Sequence, residues 1–234
     1  MKIYYHCIIF IISLFFSIGL SNDIIRKPMA LFNSLYSNDE WEVIDSGEDI
    51  SISTKNIMDK NLLAVMVNKE LSLPKEILQN VIMDIDNYGD FLQNSDSFIS
   101  KEVKNTSTFV EGYQFIPIRI PFFENREYLF RMYPSGFKNS DNTSIIHWYL
   151  LEKDKKFLDA DDRTGTYLNY GAGLWVAEEK DDKKTLFSYR IYMDPGGSLP
   201  DFLINLNSSN SLFTPSFITF PLCKKTGGLS LNSA

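Results

Sequence analysis

Between Trp41 and Met193 the chain runs through short stretches in which apolar and polar residues alternate, parted by turns rich in Ser, Gly, Asn and Asp. A side-chain period of two sends successive residues to opposite faces of a strand, so this stretch suits a sheet and not a helical bundle. Glu42-Val43-Ile44 and Ile50 to Thr54 flank the turn Ser46-Gly47-Glu48-Asp49, which predicts a hairpin. Leu62 to Leu71 supplies a third strand after Asp59-Lys60-Asn61. Pro74 then opens a helix where proline is tolerated, and Ile77, Leu78, Val81 and Ile82 recur at the spacing of a buried stripe that ends between Asp84 and Phe91. Six more strand candidates follow: Ser97 to Val103, Thr108 to Phe115, Glu127 to Tyr133, Ser144 to Leu151, Leu168 to Ala177 and Thr185 to Met193. After Pro195-Gly196-Gly197-Ser198, the residues Leu199, Phe202, Leu203, Leu206, Phe213 and Phe217 mark one face of a closing helix. Ser198 is its candidate N-cap, Pro200 falls at the second helical position, and Pro215 bends or restarts it. Three strands, a helix, about six strands and a closing helix make a mixed α+β layout.

The ends read differently from this middle. Lys2 precedes an apolar run from Ile8 to Leu20, with the small residues Gly19 and Ser21 at a cleavage-like spacing, so residues 1–21 read as an export signal. Ile3 to Leu20 is also nearly long enough to stay as a single uncleaved membrane anchor. Both readings place the folded part outside the cytoplasm, secreted or periplasmic. Residues 22–40 form an N-terminal helix or extension with Ile24, Ile25, Leu31 and Leu35 on its apolar side. Residues 41–220 are expected to make one domain, and 221–234 a tail.

With the signal removed only Cys223 remains, so no intramolecular disulfide is available and packing must carry stability. The net charge of −7 is scattered through loops without the basic stripe that nucleic acid requires, which excludes DNA and RNA as partners. Twelve Tyr, 18 Phe and 3 Trp make 14% of the residues, enough rings either to fill a core or to line an apolar pocket. Catalytic chemistry has little to draw on. His147 is the one histidine after the signal, so a two-histidine metal site is excluded, and Cys223 has no companion for zinc. No Gly-x-Ser-x-Gly elbow is present. Neither a metal nor a cofactor is expected.

Several motifs in order carry a family resemblance. Trp41-Glu42 followed by Gly47-Glu48-Asp49-Ile50-Ser51-Ile52, then Pro121-Phe122-Phe123-Glu124-Asn125-Arg126-Glu127-Tyr128, then Gly173-Leu174-Trp175, lead to Asp194-Pro195-Gly196-Gly197-Ser198-Leu199-Pro200 with Asn205 beyond. This series resembles the START (StAR-related lipid transfer) domains of the helix-grip SRPBCC superfamily, with Glu127 where Asp is usual. The resemblance covers about Trp41 to Phe217. Two features depart from the family: the closing apolar pattern stops early at Pro221, and export is unusual for these domains. The resemblance implies a helix-grip fold, a curved antiparallel sheet wrapped around a long C-terminal helix, holding a lipid or other apolar ligand without catalysis.

Such a ligand gains about 25 cal/mol per Å² of apolar surface it buries. On the strand before the Asp-Pro-Gly-Gly motif, parity separates Phe187, Tyr189, Ile191 and Met193 from Leu186, Ser188, Arg190 and Tyr192, and the first set is expected inward. The same parity turns Tyr128, Phe130 and Met132 inward. Ser144 to Leu151 is apolar on both faces, and Ile146, Trp148 and Leu150 are chosen as its inward set. Leu199, Phe202, Leu203, Leu206 and Phe213 complete the candidate ligand site, and Arg126 is a candidate contact to a polar headgroup. Arg126 and Glu127 equally suit turn-stabilising bonds at a strand start. Gly196 and Gly197 are assigned a backbone role in the turn. The expected partners are a hydrophobic small molecule and transient membrane contact, for a monomer. The competing expectation is a polyketide cyclase-like enzyme of the same superfamily, which would need polar groups such as Arg190, Tyr189 or His147 deep in the cavity.

Overall fold

A computed structural model describes residues 28–57, 62–88, 98–118, 124–134, 140–153, 165–180 and 184–196. The expectations for the export signal, for Ile24 and Ile25, and for the closing helix with Leu199, Phe202, Leu203, Leu206 and Phe213 lie outside the described residues. Helix α1 covers 28–36. The strands are β1 (Glu42–Ser46), β2 (Ile50–Asn56), β3 (Leu63–Leu71), β4 (Ile99–Asn105), β5 (Val110–Ile116), β6 (Asn125–Tyr133), β7 (Thr143–Leu150), β8 (Gly165–Tyr167), β9 (Gly171–Glu179) and β10 (Thr185–Met193). Helix α2 (Lys75–Met83) and a 3-10 turn (Ile85–Asn87) stand between β3 and β4.

All ten strands join one sheet, in the order β1-β2-β3-β10-β9-β7-β6-β5-β4, with β8 added alongside β6. Neighbours on the main path are antiparallel, and β8 is parallel to β6. The last strand, β10, inserts between β3 and β9, and so joins the first three strands to the later run. Register irregularities at Val43/Asp45 in β1 and at Glu102/Lys104 in β4 sit on the two outermost strands, where a bulge adds twist and blunts an open edge.

Each face of the sheet has its own apolar cluster. The inner face, which α2 covers in part, gathers Leu78, Ile82 and Ile85 with Tyr128, Phe130, Met132, Ile146, Trp148 and Phe187. The outer face packs Leu31, Phe32 and Leu35 of α1 against Ala64, Ile145, Ala172, Leu174 and Val176. A helix ends with carbonyls that lack intrahelical partners and with a negative dipole end, so cations are favoured there. Two cations meet the end of α1. Lys55 Nζ donates to Ser34 O at 2.9 Å, and Arg190 Nη1 donates to Leu35 O and Tyr36 O at 3.0 and 2.7 Å. Replacing Arg190 by Met is expected to lower stability by about 1.5–3 kcal/mol, since charged donors to one buried and one part-buried carbonyl are lost. Urea unfolding measures this, and an unchanged midpoint would mean that the Arg190 bonds contribute nothing to holding α1.

Some expectations need correction. The stripe predicted for α2 keeps Leu78 and Ile82 buried and Val81 packed against the same cluster, while Ile77 is 46% exposed. This nine-residue helix reaches the sheet along a thin line, and polar contacts flank it: Ser144 Oγ donates to Gln79 Oε1 at 3.2 Å, and Lys75 pairs with Glu179 at 3.3 Å. The run Leu168 to Ala177 does not begin as one strand. Leu168 N donates to Glu127 O at 2.9 Å, continuing the unforeseen parallel strand β8, and β9 starts only at Gly171.

Candidate functional site: the inner face of the sheet

Directly opposed residues of an antiparallel pair point to the same side, so register assigns the faces. Tyr189 pairs with Trp175, and Ile191 with Gly173. Across the next ladder Ile146 pairs with Trp175 and Trp148 with Gly173, then Met132 with Trp148 and Phe130 with Leu150. Gly112 and Gln114 of β5 oppose Phe130 and Tyr128. The structure therefore brings Tyr128, Phe130, Met132, Ile146, Trp148, Phe187, Tyr189, Ile191 and Met193 to one face, in one apolar cluster. Ile145 goes to the opposite face, which resolves the ambiguity of the Ser144 to Leu151 run.

Glycines shape this surface. A Cβ on Gly112 would lie 2.5 Å from the Phe130 ring, and one on Gly173 would lie 2.5 Å from the Trp148 ring. Both rings occupy space that a side chain at the facing position would need, so they lie down on the sheet. Gly171 gives the same room to Met193, which lies 3.1 Å from its missing Cβ. Tyr189 stacks on Trp175 at 3.7 Å between ring centroids, and Trp175 on Phe187 at 5.9 Å. Although packed on the cluster, Ile116, Trp175, Tyr189, Ile191 and Met193 keep accessible surface.

Neutral polar groups gather on one part of the inner face. Tyr128 Oη donates to Gln114 Oε1, Gln114 Nε2 donates to Ser100 Oγ at 3.3 Å, and Tyr88 Oη donates to Ile82 O. Burial raises the pKa of Tyr88, Tyr128 and Tyr189 above the ordinary phenol value, and repulsion among them raises those of Tyr88 and Tyr189 further. All three stay protonated at neutral pH. Sequence reasoning missed Tyr88, Gln114 and Trp175 as parts of this site. Trp175 follows from the same alternation once Gly173 is placed, whereas Tyr88 sits just after the 3-10 turn, where no periodicity marks it.

Arg126, the predicted headgroup contact, is engaged with backbone. Its Nε donates to Pro195 O at 2.7 Å, Nη1 to Glu124 O at 2.6 Å and Nη2 to Gly196 O at 3.4 Å. Gly196 holds φ at +63°, where glycine avoids the steric cost of a side chain, and its N–H donates to Asp194 Oδ1 at 3.1 Å. Arg126 thus ties the start of β6 to the Asp-Pro-Gly motif. Glu127 faces the other way and accepts from Tyr113 Oη at 2.9 Å.

Of the three polar groups named as candidates for a cyclase-like centre, Tyr189 alone lies on the inner face. Arg190 supports α1 on the outer face, and so does the environment of His147, which lies edge to Phe32 at 5.1 Å and stacks on Tyr133 at 4.9 Å. Burial lowers the His147 pKa from 6.5 to about 4. The unfolded chain then takes up this proton first as pH falls, so the folded form is expected to lose stability from about pH 6.5 down to about pH 4. Thermal unfolding across that range should show a smaller acid loss for His147→Phe. Equal slopes would assign the loss to other groups.

No family model and no curated protein matches the sequence. Solved structures do match. A STAR-related lipid transfer protein from Xanthomonas axonopodis is 19% identical at a TM-score of 0.58, over 71% of this chain and 89% of that one. Human STARD10 is 20% identical at 0.60, over 77% and 71%. Human StAR-related lipid transfer protein 5 is 13% identical at 0.58, over 86% and 90%. At these identities the likeness is one of fold.

Proposed function

From this START-type fold we propose that the chain binds a lipid or other small apolar ligand against the inner face of its sheet, without catalysing a reaction. One observation carries the reading: apolar and aromatic side chains of five adjacent strands share that face, and several keep accessible surface although the phenol of Tyr189 among them is deeply buried. Water gains little from such a surface, and a hydrocarbon gains about 0.8 kcal/mol per methylene buried, less the cost of being held. The names of the similar structures, two of them lipid transfer proteins, agree with this reading. The outer-face positions of His147 and Arg190 count against cyclase chemistry. The reading of residues 1–21 as an export signal belongs to the same proposal and places the carrier outside the cytoplasm.

Energy transfer from tryptophan to a pyrene-labelled phospholipid in vesicles tests the proposal, because Trp148 and Trp175 both stand on the inner face. Saturable transfer approaching one lipid per chain is the expected result. Emission unchanged at any lipid concentration would reject the proposal.

A further inference from the structure

The tripeptides Asn105-Thr106-Ser107 and Asn142-Thr143-Ser144 share the pattern Asn-x-Ser without a central proline. A third, Asn207-Ser208-Ser209, lies outside the described residues. In an exported chain this pattern is the acceptor of an N-linked sugar, and the Asn that bears one has to stand in a surface loop. Both positions meet that condition. Asn105 is the exposed last residue of β4, where the chain turns into β5, and Asn142 is exposed immediately before β7. The register sets them at one end of the sheet: Asn105 pairs with Val110, Val110 with Met132 near the end of β6, and β7 begins at Thr143. Arg126 and the Asp-Pro-Gly motif stand at the other end, since Ile116 pairs with Arg126 at the start of β6.

The two sites differ in how folding leaves them. Thr106 Oγ1 accepts from the N–H groups of Thr108 and Phe109 at 3.3 and 3.0 Å and donates to Phe109 O at 2.9 Å, so the β4–β5 turn holds its own shape. Ser107, whose hydroxyl completes the first tripeptide, is exposed. Asn105 Nδ2 donates one of its two hydrogens to Glu102 Oε2 at 3.0 Å, and a sugar replaces only the other. In the second tripeptide Ser144 Oγ donates to Gln79 Oε1 of α2 at 3.2 Å, so its hydroxyl has to be read before α2 packs on the sheet.

We propose that Asn105 and Asn142 carry N-linked oligosaccharides. This rests on the reading of residues 1–21 as an export signal and commits the chain to a compartment that holds a lipid-pyrophosphate-linked oligosaccharide. In the transfer, Nδ2 forms a bond to C1 of the first sugar, the pyrophosphate leaves C1 with the bonding electron pair, and Nδ2 gives up one proton. The sugars cover one end of the sheet and the tip of β4, an outermost strand whose open edge they hinder from pairing with another chain.

The full chain with its own N-terminus, made in cultured animal cells, tests this. Peptide N-glycosidase in heavy-oxygen water turns each sugar-bearing Asn into a labelled Asp, and peptide mass mapping reads which positions were modified. The exported chain should be labelled at Asn105 and at Asn142. Ser107→Ala should abolish the label at Asn105 alone, and Ser144→Ala the label at Asn142 alone, although neither change touches the Asn itself. An exported chain bare at either position, or a label that survives loss of its serine, would overturn the proposal and leave export standing. A chain kept in the cytosol would overturn the proposal and the export reading together.

Discussion

Gly173→Val is expected to lower the unfolding temperature by several degrees, up to about 10 °C. A Cβ at this position would fall 2.5 Å from Cε2 of Trp148, and that indole is a rigid ring with no flexible end to swing away. Overpacking of this kind costs about 1–3 kcal/mol or more, against a gain of about 0.5–1 kcal/mol from removing a glycine from a strand. At about 2–4 °C per kcal/mol for a chain of this size, the net loss reaches the stated range. Trp148→Leu in the same chain should recover part of it, because the two positions are direct cross-strand partners. If Gly173→Val melted at the native temperature, Trp148 would not lie over the glycine, and the reclining rings that shape the face would be wrong.

Ile191→Trp should reduce uptake of the labelled lipid at least tenfold while changing stability little. Ile191 lies on the inner face beside Gly173 and keeps accessible surface, and the ligand-binding proposal expects room there for a larger ring. On that proposal, the added ring takes volume from the ligand and leaves its neighbours in place. The two possible surroundings give opposite results. In a solidly packed face the same substitution would cost about 1–3 kcal/mol through strain, and uptake would have been absent from the start. Lipid uptake read beside thermal unfolding therefore decides between a hollow and a filled core.

The succession of strands along the chain was legible from alternation and turns, and much of this face was legible because β10 alternates cleanly. Phe187, Tyr189, Ile191 and Met193 fall on the inner side, and Ser188, Arg190 and Tyr192 on the other. The same rule gave no answer for β7, for a physical reason: α1 lies over Ile145, so β7 is buried on both faces and alternation disappears. What stayed hidden were the pairings between distant residues. Nothing in the text of the chain says that Trp148 will rest on Gly173 or Phe130 on Gly112, since those meetings depend on which strands become neighbours. The position of β10 between β3 and β9 is of the same kind. Arg126 was singled out for its charge beside an aromatic strand, and its partners turned out to be backbone carbonyls near position 195, far along the chain. Local pattern carries which way a residue points, and topology decides what it meets there.

Native mass spectrometry of the purified full chain tests the central claim most directly. Binding of one apolar molecule should appear as a single added mass, carried from the expression host or acquired from mixed lipid vesicles, and lost when the protein is denatured. A chain that emerges bare, and stays bare after incubation with every vesicle offered, would contradict the claim that the inner face shelters a hydrophobic ligand.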